Sequence, residues 1–198
     1  MPSNSEMDLH GKRIILGSAS PRRRELLAGL DVEFTVDTGN TFEEFVDESV
    51  PHCDIPALMS EGKSRGFHRA LEPDEILITA DTMVLLGGRL LGKPCDREDA
   101  VRMLRELSGR EHEVITAVTL RTVDHFETFT DSSLVTFASL TDDEIDYYID
   151  KYRPFDKAGA YGVQEWIGYV AITGIRGSFY NVMGLPVHAL YRHLLKLV

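Results

Sequence analysis

Five short segments carry residue types that can do chemistry together. In Gly17-Ser18-Ala19-Ser20-Pro21-Arg22-Arg23-Arg24, small residues precede three arginines. Ser20 suits an N-cap and Pro21 the first helical position, so a helix start is predicted there. Free backbone N–H groups and the helix dipole make such a start an anion site, phosphate being the usual guest. Arginines in a first turn are electrostatically misplaced unless an anion lies among them; a plain Ser-Pro cap with solvated arginines is the alternative. The loop is not a P-loop, because GxxxxGK[ST] is absent.

Ala80-Asp81-Thr82 ends the apolar run Glu75 to Ala80. A carboxylate at the C-terminal end of a buried strand can orient a water or hold a divalent cation; it can also simply cap a turn. Lys63, on an earlier helix, and Lys93, in Gly92-Lys93-Pro94, can offset charge developing on phosphate or can be solvated surface lysines. Asp156-Lys157-Ala158-Gly159-Ala160-Tyr161-Gly162-Val163-Gln164 is dense in small residues, which admit close backbone approach. Gln164 carries both a donor and an acceptor, suiting the edge of a base; an exposed turn residue is the alternative. Gly177-Ser178-Phe179-Tyr180-Asn181-Val182-Met183-Gly184-Leu185-Pro186 is expected to be a tight turn, with no chemistry legible in its residue types.

Other chemistries find no footing. The seven histidines form no HExxH pair or zinc spacing, His112 is expected to be structural, and no GxSxG elbow occurs. Cys53 and Cys95 form no CxxC and no metal spacing, and are expected to be buried or idle thiols in a reducing cytoplasm. A net charge of −11 with no basic stripe argues against nucleic-acid binding. No apolar run reaches the ~18 residues of a membrane span, and the N-terminal residues lack a signal-peptide pattern. With 198 residues, 43% hydrophobic and 27% charged, the chain can bury a core without disulfides.

The elements that must position these residues alternate between strand and helix. Strands are expected at Arg13 to Leu16, at 32 to 37, at Glu75 to Ala80, and in a Gly87-Gly88 hairpin joining Met83–Leu86 to Arg89–Leu91. Longer strands are expected at His112 to Arg121 and Phe126 to Ala138. Helices are expected from Pro21, with Leu26, Leu27 and Leu30 inward, and from Pro56 to about Ala70. Further helices should follow the Asp96 cap and the Thr141/Glu144 capping box, and a last one should run from about Leu185 to Leu197. Lys157 to Gly184 should hold short strands, and residues 1 to 11 a mobile leader before one domain over 12–198. The class is mixed α/β.

In this order the segments resemble the Maf family of nucleotide pyrophosphatases. The resemblance runs through Ser18-Ala19-Ser20-Pro21-Arg22-Arg23, Glu25-Leu26-Leu27, Ala80-Asp81-Thr82, Gly92-Lys93-Pro94, Met103-Leu104 and Leu107-Ser108-Gly109. It continues through His112, Val114-Ile115-Thr116-Ala117-Val118, the Asp156–Gln164 run and Asn181-Val182-Met183-Gly184-Leu185-Pro186, spanning roughly 13 to 197. It implies an elongated mixed-sheet α/β fold shared with house-cleaning inosine triphosphatases, with two lobes and a cleft between them. The implied reaction cleaves a nucleoside triphosphate to monophosphate and pyrophosphate with a divalent cation, Mg or Mn. Asp81 is implied as base and metal ligand, Glu43 as a second acidic group near the metal, and Ser18, Arg23, Lys63 and Lys93 as phosphate contacts. Arg22, Thr82 and Gln164 match the branch acting on dTTP and UTP, not the 7-methyl-GTP branch. A cytoplasmic homodimer that sanitises nucleotide pools is expected. The alternatives are a nucleotide-binding regulator of division and an inosine or xanthosine triphosphatase.

The chain departs from that pattern at Gly17, where Ala is common, and at Glu165, where many relatives have Gly. It departs again at Met59-Ser60-Glu61-Gly62-Lys63-Ser64, where an Ala-rich helix is usual.

Overall fold

The computed structural model describes residues 11–45, 47 and 49–197. Of the leader expected over 1 to 11, all but Gly11 lies outside the described residues. Seven strands form one mixed sheet, with the order β2-β1-β3-β5-β6-β7 and β4 paired to β3.

β1 (Arg13–Leu16) pairs in parallel with β2 (Phe34–Val36) and with β3 (Glu75–Leu86). Ile14, Ile15 and Leu16 are all buried, as a continuous apolar run flanked on both sides requires. Between β1 and β2 lies α1 (Pro21–Ala28), the crossover that a parallel pair needs. Ser20 caps it by accepting from the Arg23 N–H, and Leu26 and Leu27 are buried; Leu30 falls past the helix end, half-buried.

Beyond a 3₁₀ turn at His52–Asp54 runs α2 (Ile55–Arg65). It stops at Gly66, short of the expected Ala70. β3 is a single strand of 12 residues where two shorter ones were expected, since no glycine or proline interrupts 75–86. It turns through Gly87 and Gly88 (φ +58° and +80°) into β4 (Arg89–Leu91). Two consecutive positive φ values are what a two-residue hairpin loop demands.

α3 (Arg97–Leu107) is capped by Asp96, which accepts from the Asp99 N–H at 2.8 Å. β5 (Glu111–Arg121) and β6 (Phe126–Phe137) follow. α4 (Asp142–Tyr152) opens on the full Thr141/Glu144 capping box. The stretch expected to hold short strands holds one, and about half of it is helical. It contains a 3₁₀ turn at Ala158–Ala160, α5 (Trp166–Ala171), the lone strand β7 (Ile172–Arg176) and α6 (Phe179–Met183). α6 stands where a tight turn was expected. α7 (Val187–Leu194) is shorter than foreseen at both ends, beginning only after Pro186.

The chain divides into two compact units. The first comprises 1–81, 116–131 and 184–198; the second comprises 82–115 and 132–183. In the first, Ile15, Phe67 and Leu77 form a buried apolar cluster with Leu71 packed on it. Beside it, α2 is tied to β3 by reciprocal bonds. The Ser60 hydroxyl donates to the Thr79 carbonyl (3.1 Å), and the Thr79 hydroxyl donates to the Ser60 carbonyl (2.8 Å). In the second, Arg97 reaches Asp146 and Asp150, and Arg105 reaches Asp142, joining α3 to α4.

Candidate active site

In the first unit the Gly17–Arg24 loop leads from β1 into α1 as expected. The half-buried Ser18 hydroxyl accepts from the Ser20 N–H and from Arg23 Nη1, each at 3.3 Å. Arg23 Nε donates to the Gly184 carbonyl at 2.9 Å, so its guanidinium is oriented from two sides. Burial lowers the Arg23 pKa; the Asp81 charge opposes that and Arg22 adds to it. A partly dehydrated guanidinium within the field of one carboxylate is prepared for an anion. Arg22 is half-buried at the same helix start.

α2 and β3 supply the second group. Lys63 Nζ lies 2.6 Å from Asp81 Oδ1 and 2.8 Å from Glu44 Oε1. Lys63 and Asp81 are largely covered, with side-chain exposures of 22% and 16%, whereas Glu44 stands at 62%. Lys63 and Asp81 were thus both legible in the sequence, and the fold puts them in contact. Glu43, the second acid implied by the resemblance, is exposed; its neighbour Glu44 is the carboxylate that reaches the lysine. Sequence reasoning missed Glu44, and only its place beside Glu43 in one acidic loop pointed to it.

Asp81 and Glu44 are hard-oxygen donors, which suit Mg or Mn and not a thiolate-loving metal, and in this structure the Lys63 ammonium contacts both of them. Among the described residues, no three His, Cys, Asp or Glu side chains are grouped to hold a metal. Mg commonly makes do with one or two carboxylates, completing its shell with water and substrate phosphates. The residues present therefore fit such an ion.

The second unit holds the remaining expected residues. Thr82 is half-buried and Lys93 exposed. The 156–165 loop is tightly bonded. The Tyr148 hydroxyl accepts from the Gly162 N–H at 3.0 Å and donates to Glu165 Oε2. Lys157 Nζ meets Glu165 Oε1 at 3.1 Å and Asp156 Oδ1 at 2.8 Å. Burial, the bond to Glu165 and that carboxylate's charge push the Tyr148 pKa far up, so the hydroxyl keeps its proton. Gly159 and Ala160 adopt left-handed φ (+68° and +59°), and a Cβ on Gly159 would lie 3.2 Å from Val84 methyls. Gln164 Oε1 is buried without a hydrogen-bond partner among the described residues. Glu165, the departure beside it, is taken up by Lys157 and Tyr148.

His112 is structural, as expected. It is buried, its Nε2 lies 2.7 Å from the Tyr161 hydroxyl, and Phe137 and Tyr161 meet it edge-on. Asn181 is also buried, its Nδ2 donating to the Val114 carbonyl (3.0 Å) and the Ser133 hydroxyl (2.9 Å). That gives the Asn181–Pro186 run a packing role invisible in its residue types.

No helix among the described residues is long and apolar enough to cross a membrane. Residues 13–197 match the family model described as Maf-like protein. A dTTP/UTP pyrophosphatase of Bacteroides thetaiotaomicron is 51% identical over 185 residues, 93% of this chain and 96% of that one. A dTTP/UTP pyrophosphatase of Porphyromonas gingivalis W83 is 50% identical over 184 residues, 92% of each chain. Among solved structures, a HAM1 protein from Coxiella burnetii aligns with 65% of this chain and 74% of its own, at 12% identity and TM-score 0.41. That partial likeness is too weak to bear on the fold.

Proposed function

The chain belongs to the Maf family, and on that premise we propose that it hydrolyses dTTP and UTP to the nucleoside monophosphate and pyrophosphate. The observation that carries the reading is the Lys63–Asp81–Glu44 cluster in the same unit as the Ser18/Arg23 loop. Anion-binding groups and a partly buried carboxylate–ammonium pair are the parts that phosphoryl chemistry needs. The near-complete coverage of both dTTP/UTP pyrophosphatases supports the substrate class.

The residues take these roles. Ser18 and Arg23, at the start of α1, hold phosphate oxygens, with Arg23 aimed by Gly184 and Ser18. Asp81 orients a water against the α-phosphorus and accepts its proton. Lys63, fixed by its bond to Asp81, offsets charge that builds on the phosphoryl oxygens, and Lys93 does so on departing pyrophosphate. A Mg or Mn ion held by Asp81 and Glu44 would supply Lewis-acid polarisation of phosphate oxygens. Gln164, Arg22 and Thr82 read the pyrimidine. The unmatched, buried Gln164 Oε1 is an acceptor suited to the N3–H that thymine and uracil both carry.

Pyrophosphate release from dTTP, UTP, CTP, GTP, ITP and 7-methyl-GTP, with Mg or Mn, tests the proposal. Selective turnover of dTTP and UTP is expected. Purine preference would overturn the base-reading roles, and binding without turnover would make the protein a nucleotide-binding regulator.

A further inference from the structure

Glu44 is mostly exposed, so burial does not hold it against Lys63. The segment just before it is seated with care. Asn40 Nδ2 donates to the Lys63 carbonyl (2.5 Å), the Thr41 N–H donates to the Gly66 carbonyl (2.8 Å), and the Phe42 N–H donates to Asn40 Oδ1 (2.7 Å). The Phe42 ring lies over Gly62: a Cβ built there would fall 2.3 Å from ring carbons Cε2 and Cζ. One turn on, a Cβ on Gly66 would lie 2.6 Å from Asn40 Oδ1, 2.7 Å from Phe42 Cβ and 2.8 Å from the Phe42 nitrogen. Neither glycine has a positive φ, so backbone conformation does not require it. A glycine inside a helix is unfavourable relative to alanine. At both positions, what an alanine would lose is the contact with residues 40–42.

We propose that Gly62 and Gly66 are positioning residues that seat the 40–42 segment on α2 and thereby deliver Glu44 to Lys63 and Asp81. The proposal rests on the Lys63–Asp81 pair being the reaction centre. It gives a purpose to the departure of this helix from an Ala-rich pattern. An alanine at 62 needs the Phe42 ring to swing away. One at 66 meets the loop's backbone nitrogen, which cannot swing.

The test compares Gly62→Ala, Gly66→Ala, Phe42→Ala, Glu44→Gln and the double variant Gly62→Ala/Glu44→Gln with wild type and Asp81→Asn. Three readouts are taken: kcat/KM for dTTP, Mn affinity measured from the EPR signal of the free ion with Mn alone, and melting temperature. Glu44→Gln should lose about tenfold in both kcat/KM and Mn affinity. Gly62→Ala and Phe42→Ala should lose several-fold in both, and Gly66→Ala should lose more than Gly62→Ala. The double variant should lie within twofold of Glu44→Gln, because both changes remove the same group.

A merely unfavourable helix glycine behaves otherwise. Gly62→Ala would then raise the melting temperature and leave turnover and Mn affinity unchanged, which overturns the proposal. Losses that multiply in the double variant overturn it too. Phe42→Ala leaves both glycines in place, so the proposal stays testable if the alanine variants fold poorly. Failure of the underlying reading has its own signature, namely near-normal turnover in Asp81→Asn. Mn affinity judges the glycines even with no turnover.

Discussion

In the first unit the important polar groups are charged and opposed. Lys63 stands between two carboxylates, and Arg23 spans Ser18 and Gly184. In the second unit, the 156–165 loop is held by a tyrosine hydroxyl bonded to a backbone N–H, a His–Tyr pair, two left-handed residues and one covered ion pair. The first set keeps partial access to solvent, so its charges can exchange partners when an anion arrives. The second is largely buried and mostly bonded; Gln164 Oε1 and His112 Nδ1 are buried without a hydrogen-bond partner among the described residues. Opposed charges with partial solvent access suit a step in which charge develops, and a loop fixed by buried hydrogen bonds suits selection by hydrogen bonds. Changes of charge in the first unit should therefore strike turnover, and changes of hydroxyls and rings in the second should strike stability or selectivity.

The largest effect should come from Asp81→Asn. Losing the proton acceptor should lower kcat by about 10³-fold, with a melting temperature near that of wild type. A comparable drop from a neutral change in the 156–165 loop would erase the contrast between the units.

His112 comes next. Burial lowers its pKa from 6.5 to about 4. Between those values the unfolded chain takes up a proton that the native state refuses. The stability present above pH 6.5 is thus progressively lost as pH falls towards about 4, by on the order of 3 kcal/mol. Urea unfolding at a series of pH values should show that slope, and His112→Gln should flatten it in that window.

Tyr148→Phe would strand the buried Gly162 N–H and leave Glu165 with Lys157 alone. It should destabilise by about 1–3 kcal/mol, read from the urea midpoint. Turnover at saturating dTTP should fall much less than in Asp81→Asn. The smallest effect is expected from Gln164→Leu. It should lower discrimination of UTP against CTP by about tenfold, roughly 1.4 kcal/mol, with kcat for UTP nearly kept. A loss in kcat alone would place Gln164 with the charged set.

Much of this was legible because the signals are local. The Ser20 cap, the Asp96 cap, the Thr141/Glu144 box and the Gly87-Gly88 turn each depend on neighbours within a few residues, and each formed as expected. Asp81, expected at the end of a strand and found in the middle of β3, and Lys63 on α2 were candidates one by one; their contact joins residues 18 apart in sequence, through packing that no local pattern encodes. Glu44, beside Glu43 in one acidic loop, is subtler, since adjacent acids are equivalent in sequence until a loop docks. The docking depends on Gly62 and Gly66, whose value lies in what is missing from them. The helices within 157–184 were hidden because glycine-rich composition suggested strands and turns, while Ile167 and Ala171 bury one face of α5.

The most direct test of the central claim is hydrolysis of dTTP in water enriched in oxygen-18, with mass spectrometry of the products. The account predicts dTMP carrying one heavy oxygen and unlabelled pyrophosphate, with Asp81→Asn forming neither at a comparable rate. Label in the pyrophosphate, or dTDP and inorganic phosphate as products, would place the attack on another phosphorus and contradict the account.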